Sequence, residues 1–287
     1  MKDKGKIGIQ MSTIKNKIDE IGVYETMKRC YELGYRCIEI SQIPLTAENT
    51  TEFVRVREDF GIKVAAINAS ITAINPSVDT LADNYDKIIS DCKALNCDIL
   101  RIGMGPLNRL FSKEEVLKYC EELDSYSTKL KADGIDYYYH NHSIEFAKYD
   151  GEYILDIIKN NSSIGFELDI HWIQAGDENP AEFIKKYAGR IRLLHLKDFR
   201  IVPITMDALR TSSVSGEPQK VNPMYGTIQF AEVGEGNLNI KACMEAGLAG
   251  GSEYFLVEQD TTYNRDQFDS LKISRDNLIK LGYEDWF

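Results

Sequence analysis

All four histidines of this 287-residue chain, His140, His142, His171 and His195, fall in or directly after short β-branched or apolar runs, in company with Asp169 and Glu258. Imidazole nitrogens mixed with carboxylate oxygens suit a transition-type divalent cation, whereas Ca²⁺, and for the most part Mg²⁺, takes oxygen alone. An isolated histidine beside a strand is usually a hydrogen-bonded core residue. Four of them gathered with two carboxylates point instead to a metal site, with Mn²⁺ the first choice and Zn²⁺, Co²⁺, Mg²⁺ or Fe²⁺ the alternatives. Residues two apart on a strand face the same side, so His140 with His142, and Glu167 with Asp169, can turn toward one interior. That is more groups than one ion can hold, and not all of them can be direct ligands.

The elements that must position these groups repeat along the chain. Apolar runs at 6–10, 37–41, 63–68, 99–103, 135–140, 163–169, 191–196 and 253–258 read as strands, which makes eight. Amphipathic stretches at 24–33, 51–60, 81–95, 113–132 and 180–187 carry apolar residues at three- and four-residue spacing and read as helices between them. Gly34, Gly61 and Gly134 stand at helix-to-strand junctions, where a left-handed terminal residue is cheapest as glycine. Eight strand–helix units predict an α/β fold, a single (β/α)8 barrel over residues 1–287. An open doubly wound sheet would place a glycine-rich loop after its first strand, and here that place reads Gln10-Met11-Ser12-Thr13-Ile14. About forty residues, 197–236, separate the seventh strand from its helix, long enough to predict a lid or a subunit contact on the carboxyl face. In such a barrel the strand ends form the mouth. The first four end in Gln10, Glu39, Asn68 and Arg101, and the metal-type ligands gather in the last four.

Composition narrows the partners. With 34 Lys+Arg against 45 Asp+Glu the net charge is -11, and no basic stripe is concentrated anywhere, which argues against nucleic acid and anionic lipid. The amino terminus MKDKGKIGIQ holds no long apolar run, so neither a membrane span nor a secretory signal is expected, and a cytoplasmic location follows. Cys30, Cys37, Cys92, Cys97, Cys120 and Cys243 form no C-x-x-C pair and are expected as reduced core residues.

The runs Tyr139-His140-Asn141-His142-Ser143-Ile144-Glu145-Phe146, Glu167-Leu168-Asp169-Ile170-His171-Trp172 and His195-Leu196-Lys197-Asp198, with Glu232-Val233-Gly234-Glu235-Gly236 and Val257-Glu258-Gln259-Asp260, resemble motifs of the sugar phosphate isomerase/epimerase superfamily, the xylose isomerase-like barrels. The resemblance spans nearly the whole chain, and is to the branch with a His-Asn-His fifth strand. It implies a divalent metal held by Glu, Asp, His and Glu from the fifth to eighth strands. Asp169, His195 and Glu258 match the last three. At the first place this chain has His140, with Glu145 further along the loop as the other way to complete the site. The resemblance further implies Glu258, Glu145 and His142 for proton transfer, Lys197 for polarising a carbonyl, and Trp172, His171 and Glu232 for binding substrate.

The chemistry these readings predict is proton abstraction next to a chelated carbonyl of a sugar or sugar-like polyol, leading to isomerisation or epimerisation. Loss of a β-leaving group from an inosose or a 3-keto-glycoside is the rival outcome, and a non-catalytic sugar-binding or partner-dependent subunit is a rival of another class. Nucleases on the same barrel are disfavoured, since they carry more histidines and this chain is acidic. The sequence leaves a homo-oligomer open.

Overall fold

The computed structural model describes residues 4–73, 75, 77–204 and 227–287. Eight strands, β1 (Lys6–Gln10), β2 (Cys37–Ile40), β3 (Lys63–Asn68), β4 (Ile99–Ile102), β5 (Asp136–His140), β6 (Gly165–Asp169), β7 (Ile191–Leu196) and β8 (Tyr254–Val257), form a closed barrel. Every pairing is parallel and joins sequence neighbours, and β1 pairs with β8 through Ile7 opposite Phe255 and Ile9 opposite Val257 to close the ring. All eight expected strands are present, five of them one or two residues shorter than the apolar runs that announced them.

The connecting helices are α1 (Lys15–Glu32), α2 (Ala47–Phe60), α3 (Tyr85–Ala94), α4 (Lys113–Ala132), α5 (Ile154–Asn161), α6 (Ile170–Ala175), α7 (Pro180–Lys185), α8 (Ile240–Gly250) and α9 (Gln267–Lys280). Helix α1 begins well before the expected position because a helical segment precedes a kink at Gly22, whose φ of 79° lies in the left-handed region. Helix α2 also starts earlier, at the turn where Thr46 caps it by accepting from Asn49 N–H. Among the described residues no helix is long and apolar enough to cross a membrane. All six cysteines are buried and free.

Strand alternation builds two layers inside the barrel. Cys37, Ala66, Ile99, Tyr138, Leu193, Tyr254 and Leu256 belong to an apolar plug in the lower interior. One inward step further along the same strands come Glu39, Arg101, His140, His195 and Glu258, all buried. The plug is tightly fitted: a Cβ on Gly165 would lie 2.2 Å from the Tyr138 ring, so only glycine admits that ring. A larger apolar layer fills the space between strands and helices.

The long connection after β7 is partly regular. Asp198–Ile201 and Ile228–Ala231 pair as an antiparallel ribbon, with Phe199 opposite Phe230. The centre of the expected lid, residues 205–226, lies outside the described residues. Asp198 locks the ribbon's base: its fully buried carboxylate accepts from the backbone N–H of Phe199, Gly234, Gly236 and Leu238 at 2.8 to 3.2 Å. A Cβ at Gly236 would fall 2.1 Å from Asp198 Oδ1, so glycine is required there too. Asp198→Ala would strand several buried donors, each costing about 1–3 kcal/mol, and is expected to lower stability by about 3 kcal/mol or more in urea unfolding.

Candidate metal centre at the carboxyl end of the barrel

His140 ends β5, Asp169 ends β6, His195 lies near the end of β7 and Glu258 follows β8, so four consecutive strands deliver four side chains to one point. One ligand atom from each lies within 4.8 Å of the other three, and all four residues are buried. The distances are 3.5 Å from His140 Nε2 to Asp169 Oδ2, 3.9 Å from His195 Nδ1 to Asp169 Oδ2, and 2.8 Å from His195 Nδ1 to Glu258 Oε2.

In three of the four, one polar atom is engaged elsewhere and the other is left over. Asp169 Oδ1 caps α6, accepting from His171 N–H at 2.8 Å and Trp172 N–H at 3.1 Å. Glu258 Oε1 accepts from Gln10 Nε2 at 2.9 Å. His195 Nε2 makes a hydrogen bond with Glu39 Oε2 at 3.1 Å. The remaining atoms, Asp169 Oδ2, Glu258 Oε2 and His195 Nδ1, have no hydrogen-bond partner although buried, and neither nitrogen of His140 has one. Buried polar atoms are rarely left so. With one free atom from each residue turned to the same place, nitrogen and oxygen mixed, these four side chains could hold a divalent cation.

The charge balance points the same way. Glu39, Glu167, Asp169, Glu258 and Asp260 face only Arg101 and Lys197 as permanent cations. Burial and the charge of Glu39 push Glu167 up to about 8, and a divalent cation would offset the excess of negative charge among the other carboxylates. Burial alone would raise Glu258 and Glu39, but Lys197 and His195 hold the first well below the usual carboxylate range, and Arg101 and His195 do so for the second. Burial, reinforced by His195 and Arg101, drives His140 well down, so its ring is neutral and able to coordinate.

Glu145 is elsewhere. Its Oε1 accepts from Tyr139 OH at 2.8 Å and its Oε2 from His142 N–H at 2.7 Å, which spends both oxygens on shaping the loop after β5. It is not among the converging ligand atoms, whereas His140 is. Glu232 is likewise engaged, with Ser270 Oγ at 2.8 Å and Arg265 at 2.7 Å. Lys197 Nζ lies 2.8 Å from Asp260 and 3.5 Å from Glu258 Oε1. Burial would lower it, but Glu258, Asp169 and Asp260 hold it protonated. Its ammonium also stands 5.1 Å above the Trp172 ring and 5.3 Å from that of Phe230. His142 packs against His140 and Trp172, with ring centroids at 4.8 and 5.5 Å, and burial lowers it to about 3. His171 meets Trp172 and Phe199 edge-on and Phe230 at a tilt.

Several of these residues were not assigned roles from the sequence. Gln10, Glu39 and Arg101 stood out only as polar strand ends, and Phe199 and Phe230 belong to a ribbon hidden in a long connection. Period-two alternation carries a signal for the first group, since Glu39 and Arg101 are each two residues beyond an inward-facing Cys37 or Ile99.

A family model described as "Xylose isomerase-like TIM barrel" matches residues 27–273. Among solved structures, the chain is similar to a sugar phosphate isomerase/epimerase from Parabacteroides distasonis, at 20% identity and a TM-score of 0.73, covering 96% of this chain and 98% of that one. It is similar to a probable 3-DHS dehydratase, AsbF, from Bacillus anthracis, at 13% identity and TM-score 0.65 over 96% and 98%. It is also similar to the IOLI protein with a zinc atom, at 17% identity and TM-score 0.65 over 98% of both chains. At these identities the likeness is one of fold. No curated protein matches the sequence.

Purified protein is expected to bind one divalent cation per chain, read by elemental analysis after dialysis. His140→Gln or Asp169→Asn should weaken that binding by more than about 100-fold, the upper end of what losing a mere support for a ligand costs. Asparagine keeps an oxygen to cap α6, so Asp169→Asn separates ligation from folding.

Proposed function

The chain belongs to the xylose isomerase-like TIM barrel family, and from that premise we propose that it is a divalent-metal-dependent isomerase or epimerase of a sugar or sugar-like polyol. The observation that carries this reading is the set of unpartnered buried atoms on His140, Asp169, His195 and Glu258 turned toward one another. A divalent cation bound there would act as a Lewis acid toward a carbonyl and its neighbouring hydroxyl, acidifying the carbon-bound proton between them.

The protein's own groups handle the proton and the charge. Glu258, held ionised by Lys197 and His195, is the base that takes the proton from carbon. The C–H electron pair passes into the carbon–carbon bond and the carbonyl π pair onto oxygen, where the Lys197 ammonium stabilises it. His142, whose ring lies against His140 and Trp172, is the second proton-transfer group by its position, burial making it a weaker base than a free imidazole. Return to the former carbonyl carbon, with the hydroxyl proton passing to the first oxygen as the second becomes the carbonyl, gives isomerisation, and return to the opposite face of the same carbon gives epimerisation. Trp172 offers an aromatic face to the apolar side of a polyol, as part of a wall that also holds His142 and Lys197.

The protonated Lys197 beside Glu258 favours elimination as the second reading, because an ammonium can protonate a departing β-hydroxyl or alkoxide as the base removes the α-proton. Both readings share the first step.

Metal-loaded protein in D2O is expected to exchange the α-proton of at least one member of a panel of aldoses, keto-sugars, inososes and 3-keto-glycosides, followed by NMR or mass spectrometry. Glu258→Gln, with metal content checked, should slow that exchange by about 100- to 10,000-fold, the range for losing a general base. No exchange by the loaded wild type across the panel would overturn the proposal. Appearance of an enone absorbance or a freed aglycone would assign the elimination.

A further inference from the structure

We infer that Glu39 and Arg101 are positioning residues that fix the ring of His195 with Nε2 carrying the proton and Nδ1 turned to the metal. The inference rests on the metal centre proposed above and extends it inward by two strands.

An imidazole can coordinate through either nitrogen, and the partner of the other nitrogen decides which. His195 Nε2 is hydrogen-bonded to Glu39 Oε2 at 3.1 Å and lies 3.0 Å from Glu167 Oε1. Nε2 has this hydrogen bond, whereas Nδ1 has none although Glu258 Oε2 lies 2.8 Å from it, so the geometry gives the hydrogen to Nε2 and leaves the Nδ1 lone pair for an ion bound between it and the outer carboxylates. Nδ1 faces Glu258 Oε2 and Asp169 Oδ2, the two free carboxylate oxygens of the centre. Glu39 is itself held: Arg101 Nη2 donates to its Oε1, and Arg101 Nε lies 3.2 Å from Glu167 Oε2. Arg101 is 2% exposed and Glu39 and Glu167 are wholly buried, so this chain of contacts does not compete with water. All four side chains leave barrel strands, β4, β2, β6 and β7, which cannot shift independently.

The same geometry excludes a second metal. Glu39, Glu167 and His195 would by themselves make another group of three ligand atoms. The Arg101 guanidinium already lies against both carboxylates, so an ion there would have to displace a buried, ion-paired side chain. Arg101 is the resident cation of the inner acidic group, and one metal is left for the outer one.

The test reads the ring, not turnover. In zinc-loaded wild-type protein, ¹⁵N-detected NMR of the histidines, assigned with His195→Gln, is expected to show His195 bonded to zinc through Nδ1 with its proton on Nε2. Glu39→Gln keeps the shape but not the charge of the acceptor and should weaken zinc binding by about 10- to 100-fold in competition with a chelating dye. Asp136→Asn, which removes a carboxylate paired with Arg192 at the opposite end of β5 from His140, should leave the affinity unchanged. Zinc on Nε2 in the wild type overturns the inference and needs no variant to fold. So does folded Glu39→Gln that binds zinc within about twofold of the wild type, against the loss expected when a ligand's support is removed. Either result leaves the metal centre standing, whereas failure of the wild type to take up zinc or any other divalent ion removes the centre and this inference with it.

Discussion

Everything at the mouth of this barrel depends on one ring standing between two acidic groups. His195 presents Nε2 to Glu39 and Glu167 and Nδ1 to Asp169 and Glu258. A fully buried imidazole with carboxylates on both sides concentrates negative charge in a low-dielectric interior, where an uncompensated charge costs several kcal/mol. Such an arrangement is stable only when cations answer it. Arg101 answers on the inner side and Lys197 beside Glu258, and the outer side is left with unpartnered atoms that a divalent ion would satisfy. Closure of the barrel is what brings these parties together: β1 pairs with β8, and so Gln10 reaches Glu258 from the other end of the chain.

The polar layer is tolerable because an apolar layer lies beneath it. The plug of Tyr138, Leu193, Tyr254, Leu256 and their neighbours packs the lower interior. Together with the belt between strands and helices it supplies the burial from which stability comes, about 25 cal/mol per Å² of apolar surface. The carboxyl end can then carry strained electrostatics without threatening the fold. Its supports are held mostly by backbone N–H groups: Asp169 at a helix cap, Asp198 under four N–H groups, and Glu145 under the His142 amide and the Tyr139 hydroxyl. Each carboxylate thus has a fixed orientation before any ligand arrives, the condition for an electrostatic site that need not reorganise.

Much of this was legible beforehand because it rests on periodicity. Eight apolar runs, glycines with positive φ at 34, 61 and 134, and histidines at strand ends follow from local rules that a single sequence obeys. The family motifs added the order of the ligands. What stayed illegible depends on partners distant in the chain. Which oxygen of Asp169 or Glu258 is free is decided by α6 and by Gln10, and that Glu145 turns to Tyr139 and its own loop is decided by a 3-10 turn after β5. The early start of α1 lay outside the periodic stretch at 24–33 because Gly22 kinks the chain between two helical segments. The ribbon at 198–201 and 228–231 was hidden by the length of what lies between its strands, since pairing across so wide a gap leaves no local pattern.

The exchange of a carboxylate for His140 has a chemical consequence. Three carboxylates and one imidazole around a divalent ion would leave the group with net charge of about −1, whereas the proposed set of His140, Asp169, His195 and Glu258 would leave it near neutral. A neutral group resists less the negative charge that grows on a substrate oxygen during proton abstraction, so it is the stronger electrophilic partner. Two imidazoles also move the ligand preference from Mg²⁺ toward Zn²⁺, Fe²⁺ and Co²⁺, and weaken the case for manganese relative to an oxygen-rich set. The cost is poorer retention of the ion at low pH, because a proton competes for each imidazole. Burial offsets that cost at His140, where the charged form of the ring is driven well below its ordinary range. The substitution and the depth of the site therefore belong together: an exposed histidine in this position would give up its metal under conditions in which a carboxylate would keep it.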